Sequence, residues 1–370
     1  MDILYNINNF EYKISIEKNL SQKLIKNIEK INSDKKILLV YDKNIENKFI
    51  KNFYELLKLS GCTIYLLKLE GNKSNKNEKI LFKIIDYLID KKFTKKSILI
   101  SLGGGVIGDI CGLASSLYLR GLIFYQIPST MTAMVDSCLG GKTGINYKRI
   151  INSVGNYYHP NHVYIFNDLI QKLPQKEFFS GIAEILKCGL IKKNKILNIL
   201  INSKNEIISR DFNIVERLIY ESLKTKIFYF KNDVNEKSTR LYLNFGHTFA
   251  HAFEMSTAEL IQRDFLRHGE AVGIGILCEL YYSNIKNQNI YLVEDILKNF
   301  NLPTRVLQGY KHSLNLVQKI QSKTFNYIFL DKKRINNFPR YISLKKKYKP
   351  KIEEMSDNNL IDQAIFKFLK

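Results

Sequence analysis

Two short apolar runs, residues 98–102 and 122–127, enclose the stretch Gly103-Gly104-Gly105-Val106-Ile107-Gly108-Asp109 and a following segment of small residues with helical potential. Near-continuous apolar runs of this length suit strands buried on both faces, and strand, glycine turn, helix, strand is the unit of a parallel sheet. Parallel strands need helical crossovers that cover the sheet, so this stretch confines the chain to the α/β class. Gly103, Gly105 and Gly108 satisfy G-x-G-x-x-G after a strand and at the opening of a helix, where a dinucleotide fingerprint sits. Glycines there let backbone N–H groups approach an anion, and the helix N-terminus favours negative charge, so the turn reads as the seat of a phosphate-bearing cofactor. Glycine clusters also serve plain tight turns. The usual ribose-binding carboxylate must come from elsewhere, because Asp109 is the one acidic residue between Val106 and Gln126; Asp42, at the end of an earlier strand, is available. A second cluster, Gly140-Gly141-Lys142-Thr143, imitates a triphosphatase phosphate loop, but Asp136 stands where its first glycine is required, which excludes that reading.

Around this centre, Lys36–Asp42 and Thr63–Leu69 read as strands, as do residues 12–16 and 162–168, while 45–59 and 80–90 read as amphipathic helices and 70–79 as a charged loop. After Leu173-Pro174 helical periodicity dominates, in residues 178–200, 214–230, 247–255, 269–282, 292–300 and 314–322. Residues 1–172 are therefore expected to form an α/β, Rossmann-like dinucleotide-binding domain, and residues 173–370 a mainly α-helical C-terminal domain.

Three of six histidines lie between positions 247 and 268. His247 and His251 stand four apart, on one face of a helix; His268 follows, and Glu184 precedes them on another helical segment. One carboxylate with two histidines is a common catalytic zinc set with an open position, and spacing alone pairs His247 with His251 as ligands. A pair of hydrogen-bonded core histidines fits the same spacing.

The 370 residues carry a net charge of +22. Nucleic-acid binding is one explanation, and drift toward Lys, Asn and Ile, as an AT-rich genome produces, is the other. The lysines spread along helical segments and loops, with only short clusters such as Lys345-Lys346-Lys347, and no zinc-finger or RNA-binding aromatic motif accompanies them. Drift is the better reading, with added attraction for an anionic substrate and no nucleic-acid partner. No apolar run has transmembrane length, the first ten residues do not resemble a signal peptide, and five scattered cysteines lack C-x-x-C spacing. A cytoplasmic protein with free thiols and no membrane partner is expected.

Taken together, GGGVIGD, YLRG, VDSCLGGKTGIN, GIAEILKCGLI, LNFGHTFAHAFE and HGEAVGIG, in this order, resemble the 3-dehydroquinate synthase family of sugar-phosphate cyclases. The resemblance implies zinc or cobalt on Glu184, His247 and His268, with His251 beside the substrate. It implies NAD held by Asp42, Glu70, Lys73, Gly104, Gly105, Asp109 and Thr130, with Asp136 and Lys142 serving cofactor and substrate. Asn152, Lys187, Lys226, Arg240 and Asn244 match further substrate contacts, and one or both of Lys332 and Lys333 a phosphate contact. Arg120, in YLRG, matches an arginine that reaches a neighbouring subunit's substrate, which implies a homodimer. The implied reaction belongs to the shikimate pathway of aromatic amino acid and chorismate biosynthesis. It converts 3-deoxy-D-arabino-heptulosonate 7-phosphate to 3-dehydroquinate and phosphate by transient oxidation with NAD, phosphate elimination, reduction and intramolecular aldol closure. A related cyclase or a metal-dependent alcohol dehydrogenase is the alternative, and the many anion-binding positions argue against the latter. The chain departs from the family at Ile151, where a lysine is usual, at the shortened segment around Glu70, and at Leu169, where threonine is frequent. Lys148 and Arg149 are the cations nearest in sequence to Ile151.

Overall fold

The computed structural model describes residues 1–370 except 8–9, 32, 149, 232, 263, 285–286, 331–337 and 347, with backbone alone at 7, 10, 287 and 288. Of the residues singled out above, Arg149, Lys332, Lys333 and Lys347 lie outside the described ones. The chain divides into two compact units, Met1–Pro174 and Gln175–Lys370.

The first unit runs β1 (Asp2–Ile7), β2 (Phe10–Glu17), α1 (Gln22–Ile31), β3 (Lys36–Asp42), α2 (Asn47–Lys58), β4 (Thr63–Leu69), α3 (Glu78–Asp90), β5 (Ile98–Gly103) and α4 (Gly105–Leu117). It continues through β6 (Ile123–Pro128), β7 (Lys142–Tyr147), β8 (Ile150–Tyr157), β9 (His162–Phe166) and α5 (Asn167–Lys172). The main sheet has the order β1-β2-β9-β6-β5-β3-β4. Only the β1–β2 pair in it is antiparallel. From β3 the chain steps outward to β4 and then back across to β5, β6 and β9, so the order reverses between β3 and β5. In open α/β sheets the crevice outside the carboxyl ends of two such strands is the ligand position. The α/β reading of the glycine stretch is the observed fold: β5 is buried along its whole length, as its apolar run requires. Helices α2 and α3 turn Phe49, Phe53 and Leu57, and Leu81, Ile84 and Leu88, into the core, each burial worth about 1.5–3 kcal/mol.

Two elements of this unit depart from the sequence reading. β1 was not expected; it pairs with β2 from Asp2↔Ser15 to Ile7↔Phe10, and its short, mixed-polarity sequence carries little periodicity. The segment after the second glycine cluster is a hairpin, β7–β8, in which Gly144 and Gly155 face each other so closely that a Cβ on Gly144 would lie 2.9 Å from the Val154 carbonyl. Glycine at those places lowers strand propensity while being what the close backbone approach requires.

The second unit comprises α6 (Gln175–Ile191), α7 (Ile196–Asn202), α8 (Lys204–Ile208), α9 (Phe212–Phe230), α10 (His247–Leu260), α11 (His268–Tyr282), α12 (Asn287–Asn299), α13 (Leu314–Phe329), β10 (Arg340–Lys346), β11 (Lys349–Glu354) and α14 (Asn358–Leu369). Residues 178–200, read as one helix, are two. Asn194 donates to the Cys188 carbonyl at 3.0 Å and accepts from the Ile196 N–H at 3.0 Å, so its side chain ends α6 and starts α7. The β10–β11 hairpin and α14 were also not anticipated; β10 is buried at positions 341–344 without alternation, so no period of two marks it.

Candidate functional site

In the first unit the glycine turn stands at the reversal point of the sheet. Register pairs Tyr41 with Leu102, which brings Asp42 level with Gly103 at the carboxyl ends of β3 and β5. Gly104 is the N-cap of α4 and offers no capping side chain, so it leaves the first-turn N–H groups without a side-chain acceptor from the cap position, an arrangement able to receive an anion. Thr130, after β6, closes over this turn: a Cβ on Gly104 would lie 3.2 Å from its methyl. Asp42 is buried and accepts from the Asn44 N–H at 2.9 Å. Burial raises its pKa, while N–H donors from Asn44 and Gly71 oppose the rise. A carboxylate at that corner can accept hydrogen bonds from hydroxyl groups.

The remaining residues named for this unit fall into different settings. Glu70 is exposed and paired with Lys43 at 2.6 Å, and Lys73 is exposed in a short turn. Asp136 is half-buried in the turn after β6, and Lys142 is exposed at the start of β7. Asp109 and Asn152 are brought together by a residue that sequence reasoning missed: the ammonium of buried Lys76 donates to both. The overlooked signal was Asn77, which caps α3 by accepting from the Ile80 N–H at 3.1 Å and so fixes the backbone beside Lys76, whose carbonyl accepts from the Asn146 N–H of β7 at 2.8 Å. Ile151 is 50% exposed, and Lys148 lies 5.7 Å from the centre of the Tyr147 ring; among the described residues the cation hydrogen-bonded to Asn152 is Lys76. Arg120 is exposed in a turn in which both it and Leu119 have left-handed backbone, φ 61 and 49. Strained backbone of this kind persists where surrounding structure holds it, often at functional loops.

In the second unit α6, α10 and α11 converge. A Cβ on Gly269 would overlap the Ser180 carbonyl, and one on Gly275 the Gly246 carbonyl, so α11 lies directly against α6 and against the start of α10. The Arg267 guanidinium fixes the entry to α11, its Nε donating to Glu177 on α6 at 2.6 Å. These contacts bring Glu184, His247 and His268 together, their ligand atoms within 4.8 Å of one another. Nε2 of His247 lies 3.6 Å and Nε2 of His268 3.3 Å from Glu184 Oε1. A carboxylate and two imidazoles with Nε2 turned inward form a donor set that fits a borderline divalent ion and leaves positions for other oxygens. Without an ion, burial works against a charged His268, but Glu254 and Glu184 outweigh it and raise the ring's pKa to about 10.

Lys187, one turn along α6, is buried against the other oxygen of Glu184. Arg240 is buried, its Nη1 donating to the Val234 carbonyl and its guanidinium 4.9 Å from the centre of the Phe230 ring. Asn244 donates to Glu236 at 2.7 Å and lines a small pocket with His247, Thr248 and Arg340. His251 stands 5.3 Å from His247, ring centre to ring centre, and Lys226 is buried on α9.

Comparison with known proteins supplies the deciding observation. Residues 66–180 match the 3-dehydroquinate synthase N-terminal family and residues 181–334 the 3-dehydroquinate synthase C-terminal family. The 3-dehydroquinate synthase of Ruminiclostridium cellulolyticum is 32% identical over 341 residues, 91% of this chain and 90% of the relative. The chain belongs to the 3-dehydroquinate synthase family. Its fold is shared with a 2-deoxy-scyllo-inosose synthase crystallised with carbaglucose-6-phosphate, NAD+ and Co2+ (TM-score 0.84, 19% identity, all of both chains). It is shared also with the 2-epi-5-epi-valiolone synthase ValA of Streptomyces hygroscopicus, with NAD+ and Zn2+ bound (TM-score 0.82, 20% identity, 98% of each chain). A 3-dehydroquinate synthase family chain thus carries Glu184, His247 and His268 on three packed helices of one unit, and the glycine turn with Asp42 at the sheet reversal of the other.

Proposed function

We propose that this chain is a 3-dehydroquinate synthase acting on 3-deoxy-D-arabino-heptulosonate 7-phosphate in the cytoplasm. Membership of the family together with the convergence of Glu184, His247 and His268 carries the reading. Its cysteines, all free and mostly buried, suit a reducing compartment. Asp42, Gly104, Gly105 and Thr130 would hold NAD, and Glu184, His247 and His268 a zinc or cobalt ion, as the ligands named for its structural neighbours support. Bound there, NAD supplies a temporary hydride acceptor and the ion a Lewis acid for the hydroxyl being oxidised.

The chain's own residues then bind and orient. Lys187, Lys226 and Arg240 are buried cations for the substrate's carboxylate and phosphate, and low local dielectric strengthens such contacts. Arg240 enters this role oriented, because the Val234 carbonyl and the Phe230 ring restrict its guanidinium. Asn244, held by Glu236, orients hydroxyls, and His251, beside His247, orients hydroxyls and moves protons at the substrate. Asn152, oriented by the Lys76 ammonium, is a further substrate contact. Asp136, Lys142, Glu70 and Lys73 complete the cofactor and substrate contacts, and Arg120 serves the site of a second copy.

The test is incubation of the chain with the heptulosonate phosphate, NAD and zinc, following phosphate and carbocycle together. Equal release of both without accumulation of reduced nicotinamide is expected. Reduced nicotinamide accumulating in step with product would instead identify a dehydrogenase. Glu184→Ala, His247→Ala and His268→Ala should each lose the ion by metal analysis, whereas His251→Ala retains it. Loss of the ion from His251→Ala with retention in His268→Ala would reverse the ligand assignment.

A further inference from the structure

The helix α10 carries a second carboxylate toward the histidine cluster. Glu254 lies two turns beyond His247, its side chain 12% exposed, and its Oε2 is 3.3 Å from Nδ1 of His268. The same ring turns Nε2 to within 3.3 Å of Glu184 Oε1. His268 is therefore held at both nitrogens, on one side by a ligand carboxylate and on the other by Glu254. The outer nitrogen of His247 has a comparable partner, with Nδ1 3.3 Å from the Phe245 carbonyl.

We propose that Glu254 is a positioning residue: it accepts the Nδ1–H of His268, fixes that tautomer, and so presents the Nε2 lone pair to a divalent ion held with Glu184 and His247. The proposal rests on the metal reading above. Its chemistry follows from the imidazole itself. A neutral ring has one N–H and one lone pair, and a lone pair on Nε2 leaves the proton on Nδ1, where only an acceptor is stabilising. Glu254 is such an acceptor, and a carboxylate in this position also raises the ring's basicity as a ligand.

His251, Glu254 and His268 also have donor atoms within 4.8 Å of one another, which is the geometry of another cation site. Binding there through Nδ1 of His268, with Nε2 still on the first ion, requires a ring stripped of both protons. Two dications would then share one imidazolate at close range. A hydrogen bond from a neutral ring to Glu254 requires neither.

Cobalt titration of the full chain tests the assignment, with affinity measured by competition against a chromophoric chelator and coordination by visible absorption. Wild type should bind one cobalt per chain; no binding at all would defeat the metal reading itself, before Glu254 is considered. Glu254→Ala should weaken cobalt binding about 10–100-fold with the stoichiometry still one and the ligand-field bands largely kept. Glu254→Gln retains an acceptor oxygen in nearly the same volume and should recover part of that loss, which also covers failure of the alanine variant to fold. Two cobalt ions per wild-type chain, falling to one in either variant, would make Glu254 a ligand and overturn the proposal. Unchanged affinity in Glu254→Gln together with unchanged affinity in any folded Glu254→Ala would overturn it as well.

Discussion

Lys76 shows how a single cation reorganises one corner of the molecule. Its ammonium bridges Asp109 and Asn152, although Lys76 is more than thirty residues from the nearer of them. Lys76→Ala removes the charge-assisted hydrogen bond that orients Asn152, and should raise the Michaelis constant for the sugar phosphate. Ile151→Lys adds a charge on an exposed side chain beside a site that already has Lys76, and should change that constant by less than Lys76→Ala does. Steady-state kinetics of the two variants checks the order, and the reverse order would show that position 151 faces the substrate. His162 makes a prediction about stability. Burial, aided by Lys23 and Lys13, lowers its pKa to about 3, with Ser15 Oγ 2.9 Å from its Nε2. Unfolded, it titrates near 6.5. Below that value the unfolded state binds the proton and the folded state does not, so stability is full above about pH 6.5 and falls as pH drops toward 3. The loss from pH 7 to pH 5 should be about 2 kcal/mol, and His162→Gln should remove it. Urea midpoints of the two proteins at those pH values measure the difference.

At the scale of elements, function depends on how closely helices approach. Helix α11 carries His268 at its first residue and sits against α6, which carries Glu184, because Gly269 has no side chain to meet the Ser180 carbonyl. Gly269→Ala inserts a methyl against backbone that has little room to yield. Overpacking of this kind costs about 1–3 kcal/mol, and here it also pushes the first turn of α11 from Glu184. The variant should melt several degrees lower and bind cobalt more weakly, whereas a substitution on the exposed face of α13, such as Lys319→Ala, should do neither. Thermal melts and cobalt titration of both variants decide it. Had Gly269→Ala kept full metal affinity, the close packing of α6 and α11 would be unrelated to the ligand geometry.

At the scale of the whole molecule, Arg120 provides the test of assembly, since it stands in an exposed, strained turn and is assigned to the site of a second copy. Arg120→Ala and His247→Ala should each be nearly inactive alone. Mixed and allowed to exchange subunits, they should regain about a quarter of wild-type activity, because half the dimers are mixed and each has one site with both its own histidine and its neighbour's arginine. No recovery on mixing, with exchange verified, would place Arg120 in its own subunit's site. The sequence by itself determined the α/β class, the strands β3, β4, β5 and β6 to within a residue or two, the glycine turn and the family, because near-continuous apolar runs, glycine spacing and ordered motifs are local properties. It could not show that β3 and β5 are neighbours with the order reversing between them, since strand order depends on which edges pair across the chain. Spacing favoured His247 with His251, which share α10, yet the Glu184 cluster draws His268 from another helix, and that choice lies in how α11 crosses α6 and α10. Lys76 and Glu254 were invisible for the same reason: a lysine in a charged loop and a glutamate on a helix look solvated until tertiary packing places their charges against Asp109, Asn152 and His268.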